Sequence, residues 1–474
     1  MRKLLALAIC ALFLGVAVQA KAQSKLEIEG TYRVLHHNLV NFNRASNGDM
    51  EQTDSFFDHR LEVAFTFHPT DDVEVHWRLR APDYQRWGAN AGGDNFTQGS
   101  SNAATVYTRS IYATISQDWG KLSVGRLEED APTSQAGLRT LGYAYGGDYI
   151  YAMPFDYSEI ADGILYQYSQ GEDSGFGINV YYVKSDTLDV NNNWGFNDAD
   201  VDRDRYGVEP FFKWNNGGAT LALEYERDMT DQNARKNYSF FINPAIMQTW
   251  GPFSLRFEGK IGWGKTEYNW AGDNAIESQG LGLYLEANYN YGAGDINLIT
   301  WYADGSSIDE AANPWTRTQH DLVNMGDFAP FLVAYYGTTL GDRVSMHDDP
   351  RYGAGPLNNG AEGLRDVQGG GNNHWGIGIL GNHSFTDSIK FNYGIGYMAL
   401  VEQYYEGQKK DLGVEVDVGV HIDLLDNVSF ETQFGYMFNG KAYRDFRVDV
   451  NGDPIDFRDP KDTYAWLSAL TFSF

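Results

Sequence analysis

Apolar and polar residues alternate with a period of two along much of this chain. Leu412, Val414, Val416, Val418, Val420 and Ile422 share one parity, with Glu415, Asp417 and His421 between them. Ile389, Phe391, Tyr393, Ile395 and Tyr397 alternate with Lys390 and Asn392. The stretches from Leu281 to Tyr291 and from Phe253 to Trp263 repeat the pattern. Successive side chains of a β-strand point to opposite faces, so each run predicts a strand with one apolar and one polar face. Runs of about ten residues suit a tilted strand that crosses a bilayer, whereas soluble sandwich strands are nearer five or six.

The links between the runs alternate in length. Short turns are predicted at 69–72, 118–120, 171–175, 215–218, 251–252, 292–294, 385–388 and 424–427. Long polar loops are predicted at 38–55, 82–105, 127–159, 185–203, 228–236, 264–278, 303–370, 401–410 and 440–461. Short turns at one end and long loops at the other are the layout of an outer-membrane barrel. The nine long loops predict an all-β, transmembrane antiparallel barrel of 18 strands. The runs 206–214 and 237–249 contain Pro210 and Pro244, which cannot donate to a ladder; losing that hairpin gives an alternative of 16. The C-terminal run closes the barrel: Tyr464, Trp466, Leu470, Phe472 and Phe474 share one parity. An open edge is not tolerated in lipid, so this strand is expected to pair with the first. A terminal phenylalanine is the pattern that the bacterial barrel-assembly machinery recognises.

The N-terminus changes the location. Arg2 and Lys3 precede an apolar stretch from Leu4 to Val18, and Ala20 and Ala22 follow. This is the plan of a secretory signal peptide, expected over 1–22, leaving 23–474 as a single barrel domain in the bacterial outer membrane. The one cysteine, Cys10, lies inside that signal and lacks the small preceding residue of a lipidation site, so disulfides and thiolate metal sites are excluded from 23–474. The net charge of −28 argues against a nucleic-acid partner, which needs a basic face. Abundant tyrosine (31) beside few prolines (13) suits long strands with aromatic belts.

Short motifs in a fixed order then point to a family. Arg109 to Ile115, followed by Trp119 to Arg126, resembles the strand pair R-x-A-Y-V-G-L and G-x-x-x-V-G-R that leads into the constriction loop of Gram-negative general porins. Ser55 to Phe65 resembles their S-R-L-x-F strand, and Val75 to Leu79 the strand after it. Asp162 to Tyr166 with Gly175 to Tyr182 resembles the hairpin that follows the loop. Gln85 to Asn90, the length and the acidic loops resemble the homotrimeric porins of sulfate-reducing bacteria. The resemblance covers about 55–183. It implies a water-filled channel for passive diffusion of small hydrophilic solutes and ions, a homotrimer, and contact with outer-membrane lipid and lipopolysaccharide. It implies no cofactor.

The resemblance also assigns roles. Loop 127–159 would fold inward as the constriction loop, bringing Glu128, Glu129, Asp130, Asp148 and Asp156 opposite a basic wall. Arg60, Arg78 and Arg80 are candidates for that wall. Their parity opposes Leu61, Val63 and Phe65 on one strand, and Val75, Trp77 and Leu79 on the next. The alternatives are a solvated outer loop, and arginines that merely pair with Glu62 and Glu74 across strands. Arg109 matches the family's arginine but shares its parity with Ile111, Ala113 and Ile115, so its direction stays open. Leu165 departs from the pattern where general porins place a third arginine. Glu224, Glu226, Glu286, Glu415, Asp417 and Glu431 fall on polar parities, so the sign of ion selectivity also stays open.

Two other chemistries have candidate residues. Asp198, Asp200, Asp202 and Asp204 with Glu209 have the oxygen spacing of a calcium loop, but Arg203 stands at the turn where an EF-hand needs glycine, and a solvated acidic loop is the alternative. Catalysis is not expected: the histidines are scattered, Asn382-His383-Ser384 alternates in direction beside a short turn, and His347-Asp348-Asp349 has no apparent partner. The remaining function classes are a substrate-specific channel with a solute-binding constriction, and a structural or adhesive barrel working through loop 303–370.

Overall fold

The protein is described from a computed structural model. It describes residues 25–40, 53–80, 85–86, 106–127, 161–171, 174–185, 203–228, 234–268, 275–305, 318–319, 331, 373–403, 409–442 and 462–474. Residues 1–22, where a signal peptide is expected, and most of the long loops lie outside these residues.

The strands are, in order, β1 (Lys25–Val40), β2 (Thr53–Thr70), β3 (Val73–Arg80), β4 (Gln85–Arg86), β5 (Tyr107–Gln117), β6 (Gly120–Leu127) and β7 (Ala161–Ser169). Then come β8 (Gly175–Ser185), β9 (Arg203–Trp214), β10 (Gly217–Asp228), β11 (Ala234–Trp250), β12 (Phe253–Tyr268), β13 (Ala275–Asn290) and β14 (Gly294–Ala303). The last are β15 (Thr318–Gln319), β16 (His374–Thr386), β17 (Ile389–Leu400), β18 (Asp411–Leu425), β19 (Val428–Asn439) and β20 (Thr463–Ser473). β4 and β15 are two-residue pieces laid against β2 and β13. The other 18 strands each pair antiparallel with the next, and β20 returns to β1. The seam is tied by Gly30 N donating to Phe474 O at 2.8 Å and Phe474 N to Gly30 O at 2.9 Å. The Phe474 ring lies over Gly30, where a methyl would make it shift.

Each short turn and long loop of the sequence rhythm is centred between two strands, but the strands run further than expected: β12 reaches Tyr268 and β13 starts at Ala275, inside the expected loop 264–278. The two proline strands are present because each proline sits where one ladder is interrupted. Pairing of β9 with β10 skips the positions between Val208 and Phe211, and pairing of β11 with β12 skips Asn243 and Pro244. The missing N–H of each ring therefore faces a gap rather than an acceptor. Thr220 donates instead to the Pro210 carbonyl at 3.2 Å.

The outer face is apolar, with Ile28, Phe67, Trp77, Ile111, Leu223, Ile261, Leu298, Ile377 and Val418 all exposed. Rings gather at its two ends. Trp119 stacks on Tyr166, and Phe253 meets Tyr289, beside the short turns. Toward the long loops, Tyr182, Tyr206, Tyr225, Phe240 and Trp263 form one row across five strands. Trp466, Phe472 and Phe474 are exposed on the outside of β20, on the parity shared by Tyr464 and Leu470. Two aromatic girdles around an apolar band match the two interfaces of a bilayer.

Candidate pore wall

Alternation places the polar set of each strand inside the barrel. On β2 and β3 the outward parity is fixed by exposed Phe57, Phe67 and Trp77, so Arg60, Glu62, Arg78 and Arg80 face inward. Register brings Arg80 opposite Glu62. Arg80 Nε donates to Glu62 Oε2 at 2.5 Å, and Arg60 Nη2 donates to the same oxygen at 2.8 Å. Arg78 Nε lies 3.7 Å from Glu62 Oε1. Three guanidinium groups thus converge on one carboxylate. Coulomb attraction at such distances is several times stronger near a low-dielectric wall than in bulk water, and it holds the arginine heads in place. Glu74 takes no part: its oxygens meet His76 at 3.3 Å and His68 at 3.7 Å.

Sequence reading missed a fourth basic residue on this wall. Arg33 of β1 stands directly opposite Arg60 and bonds Thr471 Oγ1 at 3.1 Å. Its signal was readable, since Glu27, Glu29, Thr31 and Arg33 alternate with Leu26, Ile28, Tyr32 and Val34. Arg109 falls where the β3–β5 register shifts by one residue, between Ser110 opposite Arg78 and Thr108 opposite Leu79. Such a bulge breaks simple parity, which is why alternation alone could not orient it. Its side chain lies outside the described ones. Leu165 faces inward and is 1% exposed, in a cluster with Leu127, Tyr181 and Val183. Glu128, Glu129, Asp130, Asp148 and Asp156 lie outside the described residues.

The inner face of β8–β13 carries fixed charge of both signs. Arg205 bonds Glu226 through Nε at 2.9 Å. Asn179 and Thr220 donate to Glu209 at 3.0 Å each. Tyr181 donates to Glu224, and Arg256 pairs with Glu258. Lys260 stands 4.6 Å from the Phe241 ring centre. Glu286, Glu415 and Gln433 are buried on the same inner parity. Of the acidic calcium candidates, Asp198, Asp200 and Asp202 lie outside the described residues. Asp204 and Glu209 sit five residues apart on an unbroken strand and so face opposite sides; Asp204 pairs with Arg227 at 2.6 Å. Asn382 and His383 likewise point apart, Asn382 bonding Asp295 and His383 meeting Tyr291.

A different surface lines β14, β16 and β17. Ile299, Trp301 and Ala303 face inward from β14, all at most 2% exposed. Gly376, Gly378 and Leu380 face inward from β16, and Gly394, Gly396 and Met398 from β17. Gly378 and Gly396 are directly opposed. On them sits Phe331, a residue of the long β14–β16 connection, 1% exposed and 6.1 Å from the Trp301 ring. A methyl on Gly378 would come within 2.6 Å of its ring, and one on Gly396 would overlap it. The signal for this seat was the Gly-x-Gly alternation at 376–378 and 394–396, an inner face stripped of side chains.

No protein-family model matches the chain, and no curated protein matches it by sequence. Solved structures match in shape. OccK8 (OprE) of Pseudomonas aeruginosa aligns over 95% of this chain and 98% of its own, with a TM-score of 0.51 at 10% identity. OccAB4 of Acinetobacter baumannii covers 94% and 98%, with a TM-score of 0.50 at 10% identity. An anion-selective porin from Comamonas acidovorans covers 95% and 100%, with a TM-score of 0.43 at 12% identity. At these identities the likeness shows the fold alone: a closed, 18-strand antiparallel barrel of the outer-membrane type.

Proposed function

We propose that this chain is an outer-membrane porin that passes small hydrophilic solutes and ions by diffusion along the inside of the barrel. The observation that carries this reading is the inward cluster of Arg60, Arg78 and Arg80 around Glu62, with Arg33 in register opposite Arg60, behind an outer wall of exposed apolar residues. Ionised groups are stable inside a membrane protein when they are paired and when they border water. Arginine stays charged at every physiological pH, so the cluster supplies a permanent field to solutes in the lumen. In the same reading residues 1–22 are the export signal, 23–474 form the barrel in the bacterial outer membrane, and loop 127–159 brings its acids toward the basic wall. A homotrimer and contacts with lipopolysaccharide belong to it as well.

A substrate-specific channel is the second reading. It is favoured by the fixed hydrogen-bond network of Asn179, Glu209, Thr220 and Glu224 on the inner parity of β8–β10.

Purified full-length protein in planar bilayers decides the matter. A porin gives stable conductance steps that scale with salt; micromolar block by one solute class selects the second reading. Absence of any conductance from correctly folded barrels contradicts both.

A further inference from the structure

One register row on the outer face has no part in the pore. Arg126, Asp162, Lys184, Asp204, Arg227, Tyr238, Lys265 and Glu277 stand side by side across β6–β13, one to a strand. Between Asp162 and Lys265 their parity is that of exposed Ile164, Val180, Tyr206, Leu223, Phe240 and Trp263, so the row faces out. Arg126 stands opposite exposed Ile111, and Glu277 shares the parity of exposed Leu285. Charge alternates along the row: basic on β6, β8, β10 and β12, acidic on β7, β9 and β13. Like charges recur about every 10 Å where the alternation is unbroken. Its centre is fixed, because Asp204 accepts from Arg227 Nη2 at 2.6 Å and from the Tyr182 hydroxyl at 2.9 Å. Arg126, Asp162 and Glu277 are exposed, and Lys184, Arg227 and Lys265 are partly exposed.

The row lies at the long-loop end of the barrel. Two residues nearer the middle of each strand, Tyr182, Tyr206, Tyr225, Phe240 and Trp263 form the aromatic row, beside a recess of about 580 Å³ lined by Val180, Val208 and Leu223. Aromatic belts mark the headgroup level, so charges just beyond them meet the headgroups and not the acyl chains. Pairing between exposed neighbours contributes little stability, so stability alone does not account for the alternation. Alternating fixed charge is complementary to an ionic layer of phosphates bridged by divalent cations.

We propose that this row is a docking rail for phosphate-bearing lipid of the outer leaflet. Arg126, Lys184, Arg227 and Lys265 take headgroup phosphates, and exposed Asp162 and Glu277 face the divalent cations that bridge them. The acyl chains lie over the aromatic row and the recess. This rests on the outer-membrane half of the proposed function and is independent of conduction.

Native mass spectrometry of the folded full-length barrel in detergent, with diphosphoryl lipid A as the probe, tests it. Arg126→Gln, Lys184→Gln and Lys265→Gln combined leave the Asp204–Arg227 pair intact. They should weaken lipid A retention by about fivefold for each charge removed. Asp162→Asn with Glu277→Gln should lose the gain in retention that magnesium gives the wild type. Retention by the triple variant equal to wild type overturns the proposal. So does a wild type that holds a phosphate-free glucosyl diacylglycerol as tightly as lipid A, since the aromatic row would then act alone. A triple variant that dissociates into smaller oligomers with lipid retention unchanged makes the row a contact between copies, which also overturns it. Single-channel conductance of the triple variant should match the wild type; a changed conductance puts these side chains in the lumen and contradicts the proposal. A wild type without conductance fails the porin reading and leaves the lipid result standing.

Discussion

The inner faces of β2–β3 and of β14, β16 and β17 are built by the same period-two rule and end opposite in character. The first puts three arginines on one glutamate, with a fourth arginine beside them. The second puts glycine, leucine, methionine and tryptophan inward and receives a phenylalanine from a loop. A barrel wall therefore need not be uniform inside. Where it borders water it carries paired charge, and where it receives folded chain it carries the small and apolar residues of a protein core.

The contrast can be broken at Glu62 first. Glu62→Ala leaves Arg60 and Arg80, both nearly buried, without the carboxylate they share. Removing one partner of a buried pair costs about 3–5 kcal/mol, read from urea unfolding of the folded barrel in detergent. A loss under about 1 kcal/mol would mean that water already satisfies the guanidinium groups. On the apolar side, Trp301→Ala should cost about 3 kcal/mol through the cavity it opens under Phe331, and should leave ion selectivity where it was. A selectivity change there would put the solute lane on the wrong wall. Arg78→Gln is expected to have the smallest effect on stability, at most about 1 kcal/mol, because Arg78 is a quarter exposed and stands 3.7 Å from Glu62. Its effect on reversal potential should still share the sign of Arg60→Gln.

Most of the fold was legible because lipid enforces a simple rule. Every membrane strand must alternate, and every second link must be short, so the strands and turns could be counted from Leu412–Ile422 and its counterparts. Even Pro210 and Pro244, the two residues that spoke for a smaller barrel, are absorbed by single gaps in the ladder. The site was less legible. Parity put Arg60, Arg78 and Arg80 together, but the register that brings Arg80 to Glu62 and Arg33 to Arg60 depends on turn geometry and seam closure. Arg109 escaped because a bulge breaks parity. Phe331 escaped for a different reason: it lies in a loop with no periodicity, and only the glycines that receive it leave a trace in the chain. The family resemblance supplied an expectation for loop 127–159, and the inward loop contact among the described residues comes from another connection.

The central claim is that ions pass a wall whose charge is set on β2 and β3. The reversal potential across a tenfold salt gradient tests it most directly, at about 0.1 M on the higher side, where the screening length is about 10 Å. Arg60→Gln, Arg78→Gln and Arg80→Gln combined should move the potential toward cation preference relative to the wild type, with conductance retained. A wild-type potential that the triple variant leaves unchanged would contradict the claim and place the conducting path elsewhere.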